Sequence, residues 1–526
     1  MADTGEPPET NAKPPLGPSA MREMMIIAAP AVATMASYTV MQFFDRLMVK
    51  DIGPDPVYLA AHGNASIATW TLLTLGVGII GIINSFVSQH LGAGKPEKGA
   101  AFAWNALWFA LVYWLVIMLP AVALAPTLLR AFGHEQNLYE LELQYAQIGM
   151  LGSIFTLNAK AVHNYFFGMH RPRVVLISAI IGNLTNILFN ALLIFGAAGP
   201  PEYWPFADTI RSVATTLHMP QMGIAGAAVA LVIGTAVEFL IPFVVFLGPR
   251  YARNFGTRRA WRFNRKVMRD ILRVGWPAGF MFLNELACWT YLMSFLVGAA
   301  AERAARVAGA SIEEIAHAGT LATTAGFAAL QWMHLSFMPA VGLSIATQAL
   351  VGKAIGANNP DAAAARAWLG LGIAMAYMGL CALIFVLFRR DLIAMFINPA
   401  TSEADTAVIL AIGVQIMIAA AVFQVFDAIA ITLSAALRGA GDTIWPGVAQ
   451  IVLAWVLIVG LGHLLIEVAP TLGALGPWIG ATAYITGLGI ILLWRFHGGK
   501  WRTMRLAHPD TLHNLPPDEI TPGPGI

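Results

Sequence analysis

Four acidic residues stand inside long apolar stretches of this sequence: Asp45, Glu238, Glu285 and Asp427. An ionised side chain at bilayer depth costs about 2.5–3.5 kcal/mol on insertion scales. Asp45, Glu285 and Asp427 taken together are too costly to be decorative. Lys160, a basic residue within an apolar stretch, could neutralise only one of them. A half-buried carboxylate relieves its desolvation either by taking up a proton or by binding a cation. A site that can do both can exchange H⁺ or Na⁺ for a cationic solute, which is antiport in its minimal form. One charge crossing 100 mV supplies about 2.3 kcal/mol of driving force.

Neutral polar residues accompany the acids. Asn186 and Asn190 are four apart and share a helix face, so their amides can offer oxygens to a cation or hydrogen-bond a protonated Asp45. Polar glue between helices is an equally good reading of that pair. Phe423 lies one turn before Asp427, where its ring could stand beside a bound cation or simply pack in a core. Pro30 precedes Asp45 on the same stretch and permits a bend that could couple the state of Asp45 to the shape of a cavity. Glu238 has no role that the pattern assigns.

These residues need a scaffold, and the composition says which kind. Of the 526 residues, 58% are hydrophobic and only 11% charged. The mean hydropathy is +0.67. Soluble domains carry about 25% charged residues, so a soluble enzyme, a nucleic-acid binder and a disordered scaffold are all excluded. Twelve apolar runs are long enough to cross a bilayer: 23–49, 59–90, 101–128, 139–168, 173–197, 222–248, 268–299, 317–351, 367–388, 406–437, 443–467 and 474–497. The runs are continuous rather than alternating, which excludes a β-barrel. Cys288 and Cys381 lie far apart in apolar sequence, and no Cys/His cluster points to a metal. The N-terminal stretch has no apolar core of a signal peptide, and both chain ends read as short Pro-rich disordered extensions.

Lysine and arginine set the orientation. With the N-terminus in the cytoplasm, cytoplasmic segments hold twenty-two of the 31 basic residues and the opposite loops seven. Both termini are therefore expected on the cytoplasmic face of the cell inner membrane. Loop 198–221, with Tyr203 and Trp204, is long enough to cap the external mouth.

The chain also repeats itself. NSFVSQHLGAGKPEKGAAFAW (84–104) aligns without gaps on QALVGKAIGANNPDAAAARAW (348–368), matching Gly92 with Gly356, Pro96 with Pro360 and Trp104 with Trp368. Each segment follows the second helix of its half, and Pro30 and Pro277 both sit just inside a first helix. Two parallel six-helix halves around a central cavity are a transporter plan. The expected units are an N-terminal extension (1–21), an N-lobe (22–248), a basic linker (249–267) lying on anionic headgroups, a C-lobe (268–497) and a C-terminal tail (498–526).

The ordered set of motifs resembles the multidrug and toxic compound extrusion (MATE) family, NorM-like branch, over about 22–497. FFDRLMV supplies Asp45, WPAGFMFLNE supplies Pro277 and Glu285, FDAIAITLSAALRGAGDT supplies Asp427, and Asn186 and Asn190 match the fifth-helix pattern. The resemblance implies two bundles that enclose a V-shaped cavity and rock between inward- and outward-open states. It implies export of organic cations driven by Na⁺ or H⁺. It assigns Asp45 to the N-lobe, and Glu285 with Asp427 to a C-lobe cation site that could hold Na⁺. NorM-like members often carry a tyrosine where Phe423 stands here, so one hydroxyl is missing.

Two rival readings fit the residues less well. Gly439-Ala-Gly441-Asp442 spells the GxGD of an intramembrane protease, but Asp442 falls in a short turn outside the apolar runs. A flippase for lipid-linked oligosaccharide should line its cavity with Arg and Lys, whereas these spans hold four acids against Arg46 and Lys160. The expectation is thus a non-enzymatic transporter with no cofactor beyond its coupling ion. A small organic cation and the bilayer are its partners, nucleic acid is not, and a monomer suffices.

Overall fold

The computed structural model describes residues 18–53, 57–131, 133–398 and 401–506. Of the extensions expected at 1–21 and 498–526, residues 1–17 and 507–526 lie outside the described residues, while 18–21 already belong to the first helix. Twelve long helices follow in order: α1 (Ser19–Lys50), α2 (Val57–Gly92), α3 (Pro96–Arg130), α4 (Gln136–Gly168), α5 (Pro172–Ala198), α6 (Ile224–Leu247), α7 (Arg265–Val307), α8 (Ile312–Gly356), α9 (Pro360–Leu387), α10 (Glu403–Ala440), α11 (Ile444–Val468) and α12 (Leu475–His497). Eleven of them are apolar enough over a sustained stretch to cross a membrane. The exception is α4, whose 33 residues include Glu140, Glu142 and Lys160. Polar substitution, not shortness, sets it apart. Several helices run about one turn beyond the apolar runs, because a helix does not stop where its lipid-facing hydrophobicity does.

The chain is an all-α integral membrane fold of two six-helix bundles forming a V. One apolar core draws its buried residues from 31–271, with Phe86, Phe166, Tyr165 and Phe246 at its centre. A second draws them from 288–501, around Trp478, Tyr484 and Phe496. Between them, Met24, Ile27 and Ala28 of α1 pack with Ala340, Leu343 and Leu350 of α8.

The lobes meet on the side of the membrane that carries the chain termini, and the seam has internal two-fold symmetry. Asn84 donates to the carbonyl of Ile345 at 3.2 Å, and Gln348 donates to the carbonyl of Gly81 at 3.2 Å. In the alignment of the repeats, 84 corresponds to 348 and 81 to 345, so these are one bond made twice. Gly78 of α2 lies against Gly279 of α7, and its counterpart Gly342 of α8 lies against Val32 of α1. Only a missing Cβ lets backbones approach this closely. Ser88 and its counterpart Gly352 face each other on the axis.

Two segments depart from the sequence expectation. The region 249–267 is not simply a surface linker: it holds a helix, Pro249–Phe255, and α7 already begins at Arg265, capped by the Asn264 side chain. The first part of the C-terminal tail is ordered and docked. Trp501 is buried and stacks on Phe496 at 4.7 Å, and the Leu506 amide donates to Gln89 Oε1 of the opposite lobe at 2.8 Å. Aromatic burial outweighs the polar composition there. Loop 198–221 contains a short helix, Ala207–Thr216, and is fastened to the N-lobe by Trp204 Nε1 donating to Asp51 Oδ2 at 2.7 Å.

Candidate functional site

In the N-lobe, α1 turns Asp45 toward α5. The carboxylate is 6% exposed and accepts a hydrogen bond from the Asn190 amide. Asn190 also donates to Asn186 Oδ1 at 3.4 Å, one turn earlier on α5. Helical spacing thus delivers both amides to one acid. Asn186 Nδ2 and Asn190 Oδ1 are buried without a hydrogen-bond partner. Buried polar groups are normally satisfied, so this pair retains donor and acceptor capacity beside the acid.

Two turns toward the N-terminus of α1 lies a second cluster. The Tyr38 hydroxyl donates to Glu238 Oε1 of α6. Lys160 of α4 donates to the same hydroxyl at 3.2 Å, and its ammonium sits 4.5 Å from the centre of the Tyr38 ring. His163 Nδ1 approaches Glu238 Oε1 at 3.6 Å, and its Nε2 meets Ser178 Oγ at 3.3 Å. Asn183 donates to Ser37 Oγ at 2.9 Å, tying α5 to the same stretch of α1. Glu238 and Lys160, which the sequence leaves without a role, belong together through Tyr38. The signal that could have paired them was their shared oddity as charges within spans.

In the C-lobe, α7 and α10 present Glu285 and Asp427. Glu285 is partly exposed and accepts from Gln450 Nε2 of α11 at 3.0 Å. Asp427 is 8% exposed and close enough to Glu285 for their charges to interact. Arg438, also on α10, interacts electrostatically with Glu285 and donates to Ser434 Oγ at 2.7 Å. Gln450 was missed by sequence reasoning, and no motif would have singled it out; Arg438 was legible only as part of the tenth-helix signature.

Pro277 sits in the buried part of α7 beside the interlobe glycine Gly279, two turns before Glu285. Pro30 lies in α1, and the carbonyl of Pro30 accepts from Thr34 Oγ1 at 2.8 Å. Phe423 is 3% exposed and packs on Trp289, ring centres 6.3 Å apart, inside the C-lobe core. Among the described residues, no group of three or more His, Cys, Asp or Glu side chains could hold a metal ion. Asp442 of the GxGD stretch is held by Arg495 at 2.7 Å, a structural ion pair where a protease would need a free carboxylate.

Acids placed inside the spans of two symmetric six-helix lobes define a polytopic membrane protein with the two-lobed plan of a transporter. The chain belongs to the MatE family, whose model matches residues 30–192 and 310–463. Among its relatives is a probable multidrug resistance protein NorM from Mesorhizobium japonicum, 26% identical, covering 93% of this chain and 95% of the relative. The corresponding Bacillus subtilis protein is 24% identical over 90% of this chain and 95% of its own. Among solved structures, a MOP superfamily transporter from Pyrococcus furiosus aligns with a TM-score of 0.77 at 21% identity, covering 92% of this chain and 97% of the other. An outward-facing multidrug resistance MATE transporter aligns at 0.76 and 20%, with the same coverage. These structural likenesses establish the fold.

Proposed function

We propose that this protein is a secondary transporter that exports organic cations across the cytoplasmic membrane in exchange for Na⁺ or H⁺. The observation that carries the reading is the paired placement of acids: Asp45 held by Asn190 in one lobe, Glu285 beside Asp427 in the other. Family membership and NorM-named relatives support the substrate class. In this reading each lobe holds an acid site that a coupling ion and a cationic substrate occupy in turn. A Na⁺ ion at Glu285 and Asp427 would complete its oxygen shell from neutral groups, since hard cations take oxygen ligands.

The distribution of Lys and Arg supports placing both termini in the cytoplasm. The seam between lobes then lies on the cytoplasmic side. On the opposite side Arg46 Nη1 meets Gln331 Oε1 at 3.3 Å, an exposed contact between two long side chains that separates easily. Each copy contains both acid sites, so a monomer is the working unit. Arg46 and Lys160 are engaged by Gln331 and Tyr38, and Arg438 by Ser434, which argues against a cavity built for a pyrophosphate headgroup.

The test is ethidium flux in proteoliposomes, with Na⁺ and pH gradients varied separately. Uptake or efflux that follows one of the two gradients supports the reading. Flux indifferent to both gradients would refute coupled exchange.

A further inference from the structure

The first turns of α7 carry two parallel stripes. Arg265, Arg269 and Arg273 recur every four residues on one, and Met268, Leu272 and Trp276 on the other. Together they line a groove of about 560 Å³. Leu272 and Trp276 are 39% and 42% exposed, and all three arginines are exposed. Among the described residues, none of the three guanidinium groups has a hydrogen bond or an ion pair. The α7 amides that could bind an anion are already capped by Asn264, so the positive charge of the groove resides in the arginine side chains.

We propose that this groove binds one anionic phospholipid from the membrane leaflet on the side of the chain termini. The phosphate is held by Arg265, Arg269 and Arg273, and an acyl chain lies over Leu272 and Trp276. The order of residues along the helix matches the order of groups along a lipid. Each arginine precedes its apolar neighbour by three residues, so the guanidinium stripe leads, and it matches phosphate in a bidentate fork. The exposed rings of Trp276 and Phe280, centres 6.0 Å apart, then follow into the span. A soluble anion would leave that apolar stripe uncovered. A zwitterionic choline headgroup would bring its own cation against three others. The groove also lies one helical step from Gly275 and Gly279, which pack against α2 across the seam. A lipid seated here touches the helix that carries Pro277 and Glu285. This inference stands apart from the transport reading, since it rests on neither the acids nor the coupling ion.

The experiment uses the full chain in nanodiscs and lipids with brominated acyl chains, which quench tryptophan on contact. Brominated phosphatidylglycerol should quench the Trp276 contribution, isolated by subtracting Trp276→Phe, more strongly than brominated phosphatidylcholine at equal mole fraction. Arg269→Gln should raise the amount of phosphatidylglycerol required about fivefold, the weight of one basic residue near a charged surface. The triple variant R265Q/R269Q/R273Q should abolish the preference. These residues are exposed, and an unchanged melting temperature confirms folding. Equal quenching by the two lipids, or a preference that survives in the triple variant, overturns the proposal. Displacement of the lipid by glycerol phosphate as effective as by phosphatidylglycerol itself would show a site for phosphate alone, and would overturn it too.

Discussion

Gly92 and Gly356 occupy equivalent positions of the two repeats, and each is pressed against the other repeat's backbone. A methyl group at Gly92 would lie 1.9 Å from the Lys353 carbonyl oxygen, and one at Gly356 would lie 1.9 Å from that of Gln89. Lys353 and Gln89 are themselves equivalent. The seam on the terminal side closes because these two helix ends carry nothing beyond the backbone.

Substituting Gly356 with alanine should therefore pry the seam apart while leaving each lobe folded. Overpacking of this kind costs about 1–3 kcal/mol, enough to shift a two-state balance by roughly five- to 150-fold. Spin labels on the two lobes should report a longer distance on the terminal side in G356A, and G92A should match it. A distance distribution unchanged in both variants would show that the seam yields locally instead.

A second contact across the seam is sensitive to pH. His170, in the turn between α4 and α5, meets the Ala349 carbonyl of α8 at 3.2 Å through Nε2. Burial, reinforced by Lys353, pushes its pKa down from 6.5 to about 4. The closed seam thus holds a neutral imidazole, whereas a separated seam returns it to water and its ordinary value. The separated state binds more protons between those limits, so acid favours separation. The seam is at full strength above about pH 6.5, weakens as the pH falls to about 4, and changes no further below that. Interlobe distance followed against pH should show this window. It should vanish in His170→Asn, which also tolerates the left-handed φ of 57° at this position.

In the C-lobe, Asp427→Asn should abolish gradient-driven ethidium efflux, with the purified variant melting near the native temperature. The substitution keeps the shape and removes the only charge that Asp427 brings to Glu285. Transport at the native rate in D427N would remove Asp427 from the mechanism.

The Tyr38 cluster calls for a double-mutant cycle. Lys160→Met and Glu238→Gln should each destabilise the protein by about 1–3 kcal/mol, because each leaves a buried partner unsatisfied. The double variant should lose less than the sum, with a coupling of about 0.5–3 kcal/mol. Chemical unfolding in detergent provides the measurement. Strict additivity would mean that Tyr38 does not link the two charges.

Much of the fold was legible in the sequence. Span count, bundle plan and repeat follow from apolar length and from the G-A-x-x-P pattern, since bilayer thickness and backbone satisfaction leave few alternatives. The acids were legible because charge in lipid is rare. What stayed hidden depended on side chains meeting across helices. Glu238 and Lys160 are joined by a tyrosine on α1, 122 residues from Lys160, and no local spacing encodes that. The packing of Phe423 on Trp289 joins residues far apart in sequence, and no local pattern encodes it. The docked tail at Trp501 was concealed by polar neighbours, because composition averages over a single aromatic that anchors a segment.

The bond from Asn84 to Ile345 and its mirror from Gln348 to Gly81 make the seam self-complementary. Such an isologous patch is what two identical subunits would build around a dyad. A separate six-helix polypeptide bearing one copy of this surface could dimerise through it with no further invention. Tandem fusion of two such copies would then have freed each half to acquire its own acids, leaving Asp45 in one and Glu285 with Asp427 in the other.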